Sequence, residues 1–127
     1  MAIEFTVKLE DRPGTLAHLG EVLGKARVNI DAIQGMSSGG VTVIQFVPNV
    51  PAGAEKALTD ANLAFTTREV LIVKLLDEPG MLADVALVMA DAGINIDSVY
   101  CTIKGLIVLG VDDLKGAIQV AAGMAVT

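Results

Sequence analysis

The chain has 127 residues, of which 53% are hydrophobic, and it carries a net charge of −6. The acidic balance argues against nucleic-acid binding, which requires clustered Lys and Arg, and no apolar run approaches the roughly 20 residues of a membrane-spanning helix. A single cysteine excludes an intrachain disulfide, and the first residues lack a signal-peptide pattern, so we expect a cytoplasmic protein.

The first half of the sequence predicts strands that alternate with helices. Ile3 to Glu10 alternates apolar and polar residues, which is typical of a strand with one buried and one wet face. A helix is predicted from Thr15 to Ala26, where Gly20 and Gly24 suggest points of close packing. Two strands, a second helix and a fourth strand follow, at Val28–Met36, Val41–Val47, Ala54–Ala61 and Leu63–Thr67.

The second half predicts the same order of elements. Its strands and helices are predicted at Val70–Leu76, Met81–Ala92, Ile94–Ile103, Leu106–Val111, Asp113–Ala122 and Gly123–Thr127. Asp112 or Asp113 is the expected N-cap of the last helix. Each half is therefore predicted to be a βαββαβ repeat, with two helices on one face of a four-stranded antiparallel sheet, the ferredoxin-like arrangement. We place the two domains at residues 1–68 and 69–127.

One motif occurs twice and fixes the register of the repeat. Residues Asp11–Ala17 read DRPGTLA and residues Asp77–Ala83 read DEPGMLA, 66 positions apart (77 − 11). Asn29–Asp31 and Asn95–Asp97, both reading NID, are separated by the same 66 positions. The whole strand–turn–helix–strand block is therefore repeated without insertion.

The repeated turn has the chemistry of a small-ligand site. After Pro-Gly, the first N–H groups of the helix lack internal partners and attract an anion such as a carboxylate. Asp11 and Asp77 supply an acceptor beside each turn, and Asn29 and Asn95 supply both a donor and an acceptor. This layout matches a free amino acid. The alternative is structural, because Asp-x-Pro-Gly is a stable turn in its own right and Asn can end a helix.

The motif, the helix and the following Asn-Ile-Asp together resemble the ACT domain, a small-molecule regulatory module of amino-acid metabolism. Nearly all of the chain resembles two ACT domains in tandem, and residues 29–33 are similar to the regulatory part of aspartokinases. The resemblance implies two domains side by side in one eight-stranded antiparallel sheet, with the helices on one face. It also implies effector sites where the turn of one domain meets the second strand of the other. The implied ligand-binding residues are Asp11, Arg12, Pro13, Gly14, Thr15 and Leu16 facing Asn95 and Ile96, and Asp77, Glu78, Pro79, Gly80, Met81 and Leu82 facing Asn29 and Ile30.

The two repeats differ in ways that predict unequal roles. Arg12 can add a charged hydrogen bond to a carboxylate, whereas Glu78 opposes one, so we expect the first turn to bind more tightly. In the second repeat, Val70, Ile72 and Leu76 are apolar where the first repeat is polar on the sheet face that the helices leave free, and the run Leu106–Val111 is apolar on both faces. A strand that is apolar on both sides is covered on both sides. We therefore expect a homodimer that buries this face, the alternative being cover by the first repeat.

These observations favour a non-catalytic regulatory protein whose effector is an amino acid. A second hypothesis is a ligand-free module that binds a partner metabolic enzyme. No nucleophile–base pair is evident, His18 is expected to be a solvated helix residue, and Gly39-Gly40 is not followed by the Lys-Ser/Thr of a phosphate loop. We expect no cofactor and no metal.

Overall fold

The computed structural model describes residues 1–124. The chain divides into two compact units, Ile3–Arg68 and the residues from Glu69 onward together with Met1–Ala2. No helix among residues 1–124 has the length and apolar content that a membrane span needs. The elements are β1 Ala2–Glu10, α1 Thr15–Lys25, β2 Ile30–Ser38, β3 Val41–Pro48, α2 Pro51–Asp60, β4 Thr66–Val73, α3 Met81–Asp91, β5 Ile96–Cys101, β6 Ile107–Val111 and α4 Leu114–Val120.

The first unit packs α1 and α2 against an antiparallel sheet in which β3 lies between β2 and β1. The predicted alternation of β1 is confirmed on its core side, where Phe5 and Val7 are fully buried. Phe5 stacks on Phe46 of β3 and on Phe65, with ring centroids 5.4 Å apart in both pairs. The buried core residues are Phe5, Val7, Leu9, Leu19, Leu23, Val28, Ile44, Phe46, Ala54 and Leu58.

The second unit repeats this design with β6 between β4 and β5. The carboxylate of Asp113 accepts a hydrogen bond from the N–H of Gly116 at 3.0 Å, which confirms this aspartate as the N-cap of α4. Both units therefore present the order βαββα, consistent with tandem ferredoxin-like repeats. The buried core residues are Leu71, Val73, Val85, Met89, Ile94, Leu109, Ala117 and Ala121.

The predicted eight-stranded sheet is wrong, because residues 1–124 contain six strands. The two strands predicted at Leu63–Thr67 and Val70–Leu76 form one strand, β4. The intervening residues include no Gly, Pro, Asn or Asp to turn the chain, so the extended backbone continues. Gly123 and Met124 lie in a turn, and the rest of the strand predicted at Gly123–Thr127 falls outside the described residues.

Glu4 departs from the prediction that the second face of β1 is wet, since its side chain is fully buried. Arg68 donates from Nε to Glu4 Oε1 at 2.9 Å, and Gln45 Nε2 donates to the same oxygen at 3.4 Å. Gln34 Nε2 in turn donates to Gln45 Oε1. The ion pair and the amides compensate for the burial of this carboxylate.

The free face of the second sheet is buried. Val70, Ile72, Tyr100 and Val108 lie on the side opposite the helices, and all four are at most 8% exposed. The expected homodimer stays a prediction.

The two glycines inside α1 do not mark close packing, because a Cβ built on Gly20 or Gly24 meets no atom within 4 Å. Gly14 is different, since it caps α1 with φ of 92°, a left-handed conformation that a side chain disfavours.

We expect Gly20→Ala to raise the free energy of unfolding by about 1 kcal/mol. Gly14→Ala is expected to lower it by about 1–2 kcal/mol. Urea unfolding measures both, and a destabilising Gly20→Ala would contradict the open surroundings of that position.

Candidate functional site

The two motif turns have nearly the same backbone. Gly14 ends the first turn with φ 92° and ψ −17°, and Gly80 ends the second with φ 91° and ψ −7°. The first helical bonds follow at once, from the N–H of His18 to the oxygen of Gly14 at 3.0 Å and from Asp84 to Gly80 at 3.1 Å. The repeated sequence therefore builds the same strand-to-helix turn twice.

Each turn leaves helical amides without partners. Neither helix receives a side-chain cap. The N–H groups of Leu16 and Ala17, and of Leu82 and Ala83, lie too early in their helices for an internal acceptor. No other hydrogen bond from these four groups is found within residues 1–124. Because the helix dipole places partial positive charge there, each turn offers donors to an anion.

Asp11 is held beside the first turn by the β2–β3 hairpin. Its N–H donates to the oxygen of Gly40 at 3.0 Å, and its carboxylate accepts from the Thr42 hydroxyl at 3.2 Å. Thr15, rather than Asp11, stabilises the turn itself, because its hydroxyl lies 2.8 Å from the oxygen of Glu10 and 3.1 Å from that of Arg12. The aspartate is thus available to a ligand as an exposed acceptor.

A groove of about 460 Å³ lies between the start of α1 and strand β2, next to Asp11. We call it the β2 groove. The β2–β3 register places Gly35 opposite Ile44, and a Cβ on Gly35 would lie only 2.5 Å from Ile44 Cδ1. Ile44 Cδ1 therefore occupies the position that a side chain at residue 35 would take. The groove is lined by Asp11, Leu16, Ile33, Gln34, Gly35, Met36, Ser37, Thr42 and Ile44.

A second cavity of about 420 Å³ lies beside the same turn. Arg12 lines this cavity and donates from Nε to Glu10 Oε2 at 2.6 Å. The hydrogen bond and the charge of Arg12 lower the pKa of Glu10. Arg12 is thus already paired, and it is not among the residues that line the β2 groove, so the stronger binding expected of Arg12 stays a prediction. The cavity is lined by Lys8, Leu9, Glu10, Arg12, Gly14, Thr15, His18 and Leu63.

Asn29 and Asn95 occupy equivalent positions and make equivalent bonds within their own units. The backbone N–H of Asn29 donates to Asn49 Oδ1 at 2.9 Å, and the backbone N–H of Asn49 donates to the backbone oxygen of Asn29 at 2.9 Å. Asn95 exchanges the same two bonds with Asp112, at 3.0 and 3.2 Å. The side chain of Asn29 also donates to Asp31 Oδ1 at 3.2 Å.

Ile30 and Ile96 are the first residues of β2 and β5. Ile30 and Ile96 are partly buried against the cores of their own units. Asn29 precedes β2, whereas the β2 groove is at the other end of that strand, so the first unit does not bring its own turn and its own Asn29 together. Binding of one ligand by the turn of one repeat and the asparagine of the other stays a prediction.

The second turn has the opposite electrostatics. Glu78 takes the place of Arg12, and Asp84 takes that of His18. The side chain of Leu82, like that of Leu16 in the first turn, is more than half exposed. Of the predicted second site, Asp77, Glu78, Pro79 and Gly80 are exposed and Met81 is partly buried.

Sequence reasoning missed the strand side of the β2 groove, namely Ile33, Met36, Thr42 and Ile44. One signal for it was present. Gly35 interrupts a predicted strand, and a glycine in a strand interior often marks a close approach of a ligand or another chain.

Comparison with known proteins agrees with the repeat. A family model described as the ACT domain matches residues 3–61 and 70–119. No curated protein sequence matches the chain.

Solved structures share the fold across nearly the whole chain. Protein BT0572 from Bacteroides thetaiotaomicron is 23% identical with a TM-score of 0.89, over 98% of this chain and 90% of that one. The ligand-free regulatory subunit of aspartate kinase from Thermus thermophilus is 19% identical with a TM-score of 0.70, over 96% and 90%. Aspartate kinase from Synechocystis is 19% identical with a TM-score of 0.69, over 96% of this chain and 25% of the kinase.

Proposed function

The chain belongs to the ACT domain family, and from this premise we propose that it is a non-catalytic regulatory protein that binds a free amino acid. The domains are those at residues 1–68 and 69–127. The observation that carries the proposal is the pair of unpartnered helical amides beside an exposed carboxylate at each turn. Donors for a carboxylate next to an acceptor for an ammonium group match the two charges of an amino acid.

In the first unit the ligand occupies the β2 groove. Its carboxylate accepts from the N–H groups of Leu16 and Ala17, and its ammonium group donates to Asp11. The exposed position of Leu16 leaves those amides accessible. The second turn provides the corresponding N–H groups and Asp77, and Asn29, Ile30, Asn95 and Ile96 are proposed to complete the two sites from the opposite repeat.

Binding acts as a signal by favouring one conformation of the chain over another. A ligand shifts such an equilibrium only by its difference in affinity for the two states. The β2 groove is formed by a turn and a strand that are far apart in sequence, so a ligand in it stabilises their relative position.

Thermal unfolding with each of the twenty amino acids tests the proposal. A ligand at 100 times its Kd adds about 2.7 kcal/mol to the free energy of unfolding, which raises the Tm of a chain of this size by several degrees. We expect one amino acid, or a chemically related group, to do so. If none raises the Tm at millimolar concentration, the amino-acid proposal is wrong.

A second candidate function is control of a partner enzyme through direct assembly. It is favoured by the likeness to a protein named as the regulatory subunit of a kinase, a chain that this one matches over almost its full length. Size-exclusion chromatography of the chain with a metabolic enzyme from its own genome tests this. Co-elution in a fixed ratio, without any response to amino acids, would favour assembly over ligand sensing.

A further inference from the structure

The walls of the β2 groove are mostly apolar, although much of this surface faces solvent. Leu16 is 55% exposed, Ile33 40% and Met36 78%, and Ile44 forms the buried floor. Exposed apolar side chains are ordinary when scattered, but a contiguous set beside polar groups marks a binding surface. Here they converge on one groove at the start of a helix.

Among the described residues 1–124, Asp11 is the only ionisable side chain that lines the groove. The cationic side chains near the turn, Lys8 and Arg12, line the other cavity. A ligand with an acidic side chain would therefore find repulsion and no cation in the groove. A ligand whose ammonium group binds Asp11 would place its remaining atoms against Leu16, Ile33 and Ile44.

Gly35 allows Ile44 to form the floor of the groove. A Cβ at position 35 would approach Ile44 Cδ1 to 2.5 Å, so a side chain there must displace Ile44, which fills this position and forms the floor. The residue 66 positions later is Cys101, which pairs with Ile107 in the corresponding strands. The second repeat thus carries a side chain where the first carries none.

We propose that the β2 groove selects an amino acid with an apolar side chain of about the size of leucine, and that Gly35 allows Ile44 to form the apolar floor on which that side chain packs. The inference rests on the proposed amino-acid binding and adds the class of ligand. A volume of about 460 Å³ lies within the 300–1,000 Å³ range typical of small-molecule sites. It accommodates a whole amino acid rather than the side chain alone.

Isothermal titration calorimetry of the full chain tests the selectivity. The ligands are leucine, isoleucine and methionine, compared with glycine, aspartate and lysine. We expect the apolar set to bind at least about tenfold more tightly than glycine, because each methylene placed in an apolar pocket is worth about tenfold or more.

Substitution of Gly35 tests its role. We expect Gly35→Cys, which copies the second repeat, to weaken leucine binding at least about tenfold and to change glycine binding much less, so that the ratio of the two affinities falls. Cys101→Ser is the matched control at the equivalent position, where an exposed side chain is changed outside the groove.

A second variant keeps the test valid if Gly35→Cys does not fold. Leu16→Ser removes an exposed wall of the groove and retains the backbone N–H, so it should also lower the ratio of leucine to glycine affinity. Leu87→Ser is its control, because Leu87 is a helical leucine with a similar exposed fraction, 58% against 55%.

The outcomes separate this inference from the function on which it rests. Binding of charged or polar amino acids in preference to leucine, or an unchanged leucine-to-glycine ratio in both groove variants, would overturn the selectivity and leave amino-acid binding intact. Absence of binding by all twenty amino acids would overturn both. Dimers that form with Gly35 and are lost in Gly35→Cys would also overturn both, since a second copy of the chain would then occupy the groove.

Discussion

Replacing Arg68 by methionine is expected to lower the free energy of unfolding by about 3 kcal/mol. The Nε atom of Arg68 donates to the carboxylate of Glu4 at 2.9 Å, and that carboxylate is fully buried on the sheet. Removing one partner of a buried ion pair leaves the other charge without its compensation, which costs about 3–5 kcal/mol. The lower end of this range applies because the Arg68 side chain is 36% exposed, so only one partner of the pair is fully buried. Urea unfolding followed by circular dichroism measures the loss.

Lys56 provides the matched control. Its Nζ lies 2.7 Å from Asp60 Oδ2, a shorter distance than in the buried pair, but both side chains are more than 60% exposed. Lys56→Met should therefore change stability far less than Arg68→Met does. The double variant Glu4→Gln with Arg68→Met should recover most of the loss, because no charge is then left buried. Equal losses of stability in Arg68→Met and Lys56→Met would show that the burial of Glu4 does not determine how much its ion pair contributes to stability.

Replacing Asp11 by asparagine is expected to raise the Kd for the amino-acid effector about 10- to 100-fold. Asp11 is the proposed acceptor for the ammonium group, and a hydrogen bond between two charged groups is worth about 1.5–3 kcal/mol. Asparagine has nearly the same shape and still accepts a bond from Thr42, so the turn should keep its structure. Calorimetric titration with the amino acid that gives the largest thermal shift measures the change.

Two further variants show whether the effect belongs to the carboxylate. Thr42→Val removes the hydroxyl that bonds to Asp11 at 3.2 Å, and it should weaken binding only a few-fold because the charge remains. Asp91→Asn changes an exposed aspartate at the end of α3, outside the groove, and should leave binding unchanged. If Asp11→Asn binds as well as the unaltered chain, the ammonium group does not contact Asp11.

Most of the fold could be predicted because its signals are local. The alternation in β1 indicated Phe5 and Val7 as core residues, and the repeated motif gave both helix starts within a residue. The burial of Glu4 could not be predicted from its strand, because the partner that compensates for its charge lies 64 residues later. The fusion of two predicted strands into β4 likewise depended on the absence of a turn residue, a weaker signal than the presence of one.

The candidate site also has a part that the sequence predicts and a part that it does not. The turn, its open amides and Asp11 follow from a short motif whose physics is contained within the motif. The groove depends on the register of β2 against β3, which sets Gly35 opposite Ile44 and is not encoded near either residue. The charge of Arg12 is likewise evident in the sequence, whereas its hydrogen bond to Glu10 is not.

The hydrogen bond from the N–H of Asp11 to the oxygen of Gly40 couples the motion of two loops in the first unit. It fastens the loop that receives the effector to the tip of the β2–β3 hairpin, so the two cannot fluctuate independently while the bond holds. An effector that reduces the motion of the loop should also reduce the motion of the hairpin tip. Amide hydrogen exchange at residues 39–42 should therefore slow on effector addition along with that at residues 11–17, which makes the hairpin tip a remote reporter of a bound molecule.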